Sequence, residues 1–176
     1  MALIQFVDPE KAEGQVKEVF DILQKTIGMV PAPMQLASAS PGLLNLSWQA
    51  LQYYSSHPTL GFGLLSTIRY LVSQHINFAF CTSFNKNFLM RQGMTEEDIK
   101  KIEKDPSQAP LEDNERVMLT FVMKAIKTPD AVTQEDVNQL HGTGWTDRDI
   151  LDALAHGANM IASSILMKTF KMDVTC

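Results

Sequence analysis

Between residues 22 and 95 the chain has no aspartate and no glutamate, and its only bases there are Lys25, Arg69, Lys86 and Arg91. A stretch that long without a carboxylate cannot be mostly solvent-facing helix; it is expected to be core, subunit interface, or both. Cysteine is equally scarce. Cys81 and Cys176 are the only two, too few for a disulfide framework, so the expected setting is cytoplasmic, with free thiols. There is no Lys/Arg cluster, and the net charge of −5 argues against a nucleic-acid or anionic-membrane surface. The N-terminus MALIQFVDPE lacks the basic region of a secretory signal. The uncharged run 26–68 is long enough to span a bilayer, but Pro31, Pro33, Pro41 and Pro58 break it. No two of His57, His75, His141 and His156 have metal-ligand spacing, so no metal and no cofactor is expected.

What is present reads as helix from end to end. Asp8-Pro9-Glu10 has the form of a helix start, followed by Val16, Val19, Phe20, Leu23 and Ile27 at helical period and a stop at Gly28. Residues 29–40 are expected to start with a turn and to hold one short helix. Ser40-Pro41 opens another, with Leu43, Leu44, Leu46, Trp48 and Leu51 on or near its buried side. Residues 59–76 read as an interior helix centred on Leu64, Leu65, Ile68, Leu71 and Val72. Asn77 is expected to cap a helix over 78–92, closed by Gly93. Thr95, Thr133 and Thr146 each precede an Asp by three residues, a short-armed capping box. Between the first two lies a helix near 111–127, and a long one, rich in small residues, spans about 146–171. The expectation is an all-α protein of about eight to nine helices, one domain over 1–176, with 105–110 as a surface loop within it.

The candidate chemistry lies in Asn77-Phe78-Ala79-Phe80-Cys81-Thr82-Ser83-Phe84-Asn85. Cys81 falls in the first turn of its helix, where unpaired N–H groups and the dipole favour a thiolate, the nucleophilic form. The competing reading is a small buried residue among aromatics. Asn85 lies one turn on, on the same face, and is not a base. His75 precedes this helix and His156 lies on the small-residue helix; ordinary hydrogen-bonded or core roles fit both. Phe78, Phe80 and Phe84 are candidates to line an apolar pocket. Cys176 is terminal, with no acidifying neighbour in sequence.

The order Val72-Ser73, Asn77-Phe78-Ala79-Phe80-Cys81, Asn85, Arg91-Gln92-Gly93-Met94-Thr95 and Asp98-Ile99 resembles the carboxymuconolactone decarboxylase family, in particular its alkylhydroperoxidase AhpD-like branch. Ser40-Pro41-Gly42-Leu43-Leu44, Glu115-Arg116 and Gly144 to Ile150 extend the resemblance over most of the chain. It implies an AhpD-like helical bundle, assembled as a trimer or hexamer. Active members carry a C-x-x-C pair at a helix start, a histidine one turn later and a relay glutamate on the preceding helix. The peroxide-attacking cysteine of that motif falls on Cys81. The resolving cysteine falls on Phe78, the histidine on Asn85 and the glutamate on Ser66.

Without a thiol at Phe78, a sulfenic acid on Cys81 cannot close a local disulfide. Without the glutamate and histidine, no base is in place for the thiol. The resemblance therefore implies a one-cysteine peroxidase or thiol oxidoreductase. Cys81 would attack a hydroperoxide, an external thiol would reduce it, and Ser66, Asn85 or His75 would organise the site. Cys176 is a resolving thiol only if the tail reaches Cys81. The alternatives are a non-enzymatic oligomeric binding or scaffold protein, and a lactone decarboxylase.

Overall fold

The computed structural model describes residues 2–172, so Cys176 lies outside the described residues. Among them there is no strand, and nine α-helices follow one another with three short 3-10 turns. The helices are α1 (Gly14–Ile27), α2 (Ala32–Ala37), α3 (Pro41–Ser55), α4 (Phe62–His75), α5 (Ala79–Arg91), α6 (Glu96–Lys104), α7 (Asp113–Lys127), α8 (Gln134–Gly142) and α9 (Asp147–Thr169). The all-α expectation holds. The described residues form two compact units, one of 2–57 with 165–172 and the other Pro58–Ser164.

In the first unit Val19, Phe20 and Leu23 of α1 pack with Val30, Met34, Ala37 and Leu44 into a small core. The helix start read at Asp8 becomes a 3-10 turn instead. Asp8 Oδ1 accepts from the Glu10 N–H at 3.0 Å, and the turn ends at Ala12. Gly14, at φ +54°, then redirects the chain into α1, a conformation costly for other residues. Helix α3 departs further from expectation. Leu44 is buried, but Leu43, Leu46, Leu51 and Tyr53 are exposed. The helix carries more apolar side chains than its one buried face can take.

In the second unit α4 is interior, packed against α5 and α7. From Leu64 to Ser73 every residue but Arg69 is buried. Its hydroxyls are satisfied locally: Thr67 Oγ1 donates to the Gly63 carbonyl and Ser73 Oγ to that of Tyr70, both at 2.8 Å. Gly157 of α9 permits a close approach. A Cβ there would stand 3.1 Å from Val122 Cγ1 of α7 and 3.4 Å from Ile68 Cγ2 of α4. By length and composition α9 can cross a membrane, and 39% of its apolar window is buried, Ala153, Gly157 and Met160 among it.

The three capping boxes form: Thr95, Thr133 and Thr146 donate their N–H to Asp98, Asp136 and Asp149 at 2.9, 2.8 and 3.0 Å. Asn77 is not a cap. It takes a left-handed φ of +52°, which its short polar side chain tolerates, and Phe78 becomes the residue before α5. The segment 105–110 is ordered as a 3-10 turn on α6 and α7.

Candidate active site around Cys81 and Arg69

Cys81 is the third residue of α5 and 6% exposed. No side chain caps this helix, so its first-turn N–H groups keep their partial positive charge close to the thiol. One turn on, Asn85 Nδ2 donates to the Cys81 carbonyl at 2.8 Å, and Asn85 Oδ1 accepts from Arg69 Nε at 2.9 Å. Asn85 thus links the Cys81 backbone to Arg69.

Arg69 is the centre of the cluster. Besides Asn85, its Nη2 donates to Ser66 Oγ at 2.8 Å and its Nη1 to His156 Nε2 at 3.1 Å. Its guanidinium carbon lies 5.7 Å from the centre of the Phe62 ring. Every hydrogen-bond acceptor here is neutral, and among the described residues no carboxylate pairs with Arg69. Burial lowers the Arg69 guanidinium to about 10, while the charge of a Cys81 thiolate acts against that fall. The two groups are therefore within electrostatic reach of each other.

His156 is 9% exposed and held down to about 3, first by burial and then by the Arg69 charge, with a hydrogen bond to the Leu65 backbone acting the other way. It is neutral at physiological pH. A guanidinium only donates, so Nε2 is the unprotonated nitrogen and its lone pair is committed to Arg69. His156 is consequently an acceptor that holds the arginine, not a free base.

The residues singled out from sequence separate as follows. Cys81, Asn85 and Ser66 come together around Arg69. His75 is exposed at the end of α4 and takes no part in these hydrogen bonds. Phe78 is fully buried. Phe80 stacks on Phe84 at 5.9 Å, Phe84 meets Phe88 edge-on at 5.0 Å, and Phe88 meets Phe62 at 6.0 Å, an aromatic row leading back to Arg69. A cavity of about 500 Å³ lies elsewhere in this unit, beside Arg116, Phe121, Lys124 and Gln139, and no residue of the cluster lines it. Arg69 was missed as a site residue, although a signal existed: it is the single charge on an otherwise apolar helix.

No protein-family model and no curated protein matches the sequence. Solved structures do match in fold. An alkylhydroperoxidase AhpD core, an uncharacterized peroxidase-related protein from Ralstonia eutropha JMP134, superposes with a TM-score of 0.81 at 18% identity. An uncharacterized peroxidase-related protein from Silicibacter sp. TM1040 gives 0.76 at 21%. A cysteine-to-alanine variant of the debrominase Bmp8, in complex with 2,3,4-tribromopyrrole, gives 0.78 at 14%. Each match covers 97% of this chain and 90% of the other. The chain has the AhpD-like helical fold.

Proposed function

We propose that the protein is a one-cysteine thiol oxidoreductase of peroxidase type, in which Arg69 does the work of the missing acid–base relay. One observation carries this reading: a partly buried guanidinium, with neutral acceptors only, within electrostatic reach of a thiol at a helix N-terminus. Burying a cation without an anion is costly, and a Cys81 thiolate is the anion at hand. Activation then needs no base in the site. The charge of Arg69 and the α5 dipole favour loss of the proton to water.

The thiolate attacks the terminal oxygen of a hydroperoxide. The O–O bond breaks, the sulfur becomes a sulfenic acid, and the departing alkoxide takes a proton to leave as an alcohol. One external thiol displaces water from the sulfenic acid to form a mixed disulfide. A second releases Cys81 and leaves as the oxidised disulfide. This chemistry suits a reducing compartment such as the cytoplasm, where external thiol is plentiful.

The test follows hydroperoxide consumption with a thiol in excess. Cys81→Ser should abolish turnover and Arg69→Gln should reduce it about tenfold or more. Turnover unchanged in Cys81→Ser refutes the reading. A debrominase shares the fold, so a brominated pyrrole is a second electrophile for the same assay.

The enclosure of Cys81 favours a second reading, a binding or scaffold protein that kept the fold and lost the chemistry. It predicts a co-purifying apolar ligand in native mass spectrometry and no turnover. A lactone decarboxylase has less support. It needs groups that give and take a proton, and Ser66, Asn85 and the committed His156 do not supply them.

A further inference from the structure

Oxidation of Cys81 leaves Arg69 without its anion. As a sulfenic acid or a mixed disulfide the sulfur is uncharged, while the guanidinium stays among Ser66, Asn85 and His156, all neutral. A guanidinium carries more N–H donors than these acceptors use, and each terminal nitrogen keeps a second one. Those N–H groups are charged donors of the kind that receives a carboxylate. The residue is partly buried, and part of Arg69 remains accessible. Cys81, by contrast, is 6% exposed, and an attacking thiol must come within bonding distance of its sulfur. The cysteine on another folded protein would need far more access than this.

We infer that the oxidised Cys81 is reduced by a small thiol bearing a carboxylate, received by the free edge of Arg69. This rests on the reading that Cys81 cycles between reduced and oxidised forms. The incoming thiolate attacks the sulfur bound to Cys81, Cys81 leaves as its own thiolate, and the negative charge returns to Arg69. The carboxylate then leaves with the product.

The experiment does not depend on peroxide turnover. In a Cys176→Ser background, methyl methanethiosulfonate converts Cys81 into its neutral methylthio disulfide. Release of Cys81 is followed by intact-protein mass spectrometry with 3-mercaptopropionate, 2-mercaptoethanol and cysteamine, which are anionic, neutral and cationic. Each rate is divided by the rate of the same thiol on a small methylthio disulfide. The expected ratio of anionic to cationic reagent is about tenfold or more, from an attraction at one end and a repulsion at the other. Arg69→Gln should bring it to within about twofold. Arg69→Lys keeps the charge and should keep the order, which serves as the control where the Gln variant folds poorly. A ratio near one in the unsubstituted arginine protein overturns the inference, as does failure of the reagent to modify folded Cys81. A strong anionic preference without hydroperoxide turnover would keep the anion site and dismiss the peroxidase reading.

Discussion

Acidification should expose the neutral state of His156 as a loss of stability. In the fold its pKa is about 3, against an ordinary value of 6.5, because burial and Arg69 both oppose the imidazolium. Above pH 6.5 neither folded nor unfolded chain carries this proton, and His156 makes no pH-dependent contribution. Below it the unfolded chain binds the proton and the folded chain does not, so stability falls from pH 6.5 toward pH 3. One proton gives a slope of about 1.4 kcal/mol per pH unit, hence about 2 kcal/mol lost by pH 5. His156→Gln is the control. Its amide offers an oxygen to Arg69 Nη1 and an N–H to the Leu65 backbone, and it does not titrate. Urea unfolding of both proteins from about pH 7.5 to 5 should show the natural chain losing about 2 kcal/mol relative to the variant. His57, His75, His141 and the carboxylates are common to both and cancel. A stability difference that stays constant across that range would refute the picture of a buried, neutral histidine held against a cation.

Phe78→Cys restores the C-x-x-C pair at the cost of a wholly buried aromatic. It should lower unfolding stability by about 3 kcal/mol without raising peroxide turnover, and a tenfold gain in turnover would show that resolution of the oxidised cysteine, supplied here by external thiol, limits the cycle. Gly157→Val drives a side chain into Val122 and Ile68, where even a Cβ stands at 3.1 and 3.4 Å. Overpacking of about 1–3 kcal/mol should appear as a melting temperature lower by several degrees, and an unchanged melt would mean that α9 is not held this close. Ser66→Asp sets a carboxylate where Nη2 now donates at 2.8 Å. By pairing with Arg69 it should slow iodoacetamide alkylation of Cys81 about tenfold, whereas a faster reaction would favour a base at this position over a bare cation. Leu46 is 63% exposed on the apolar stripe of α3. If a second copy of the chain covers that stripe, Leu46→Glu will shift sedimentation toward smaller species, and an unshifted profile removes the stripe from the interface.

The helices were legible because their signals are local. A Thr three residues ahead of an Asp forms a box wherever the next residues coil, and all three did so. Gly28 and Gly93 take positive φ just past α1 and α5, where the stop signals stand. The failures were contextual. Asp8-Pro9-Glu10 starts a turn, and only the backbone direction at Gly14 decides whether α1 continues from it. The apolar residues of α3 show that burial is needed but not which surface supplies it. At the site, a helical wheel brings Asn85 near Cys81, but it does not show that the side chain bonds the Cys81 carbonyl and Arg69. His156 lies 87 residues from Arg69 in sequence, so no local pattern joins them.

The missing carboxylates and the cluster are two sides of one fact. An arginine on an interior helix ordinarily demands an acid nearby, and residues 22–95 offer none. Serine at 66 and asparagine at 85 stand where the resemblance puts a glutamate and a histidine, and both hydrogen-bond the guanidinium without neutralising it. A glutamate at position 66 would have cancelled the charge that Cys81 feels. With a serine at 66, Arg69 has no carboxylate partner among the described residues, and Ser66, Asn85 and His156 hold it in place. On the inference drawn above, such a site would select for negative charge, on the cysteine itself or on whatever approaches it. Charge selectivity in thiol reactions at Cys81 is thus a more direct probe of the site than peroxide turnover, because it follows from Arg69 alone.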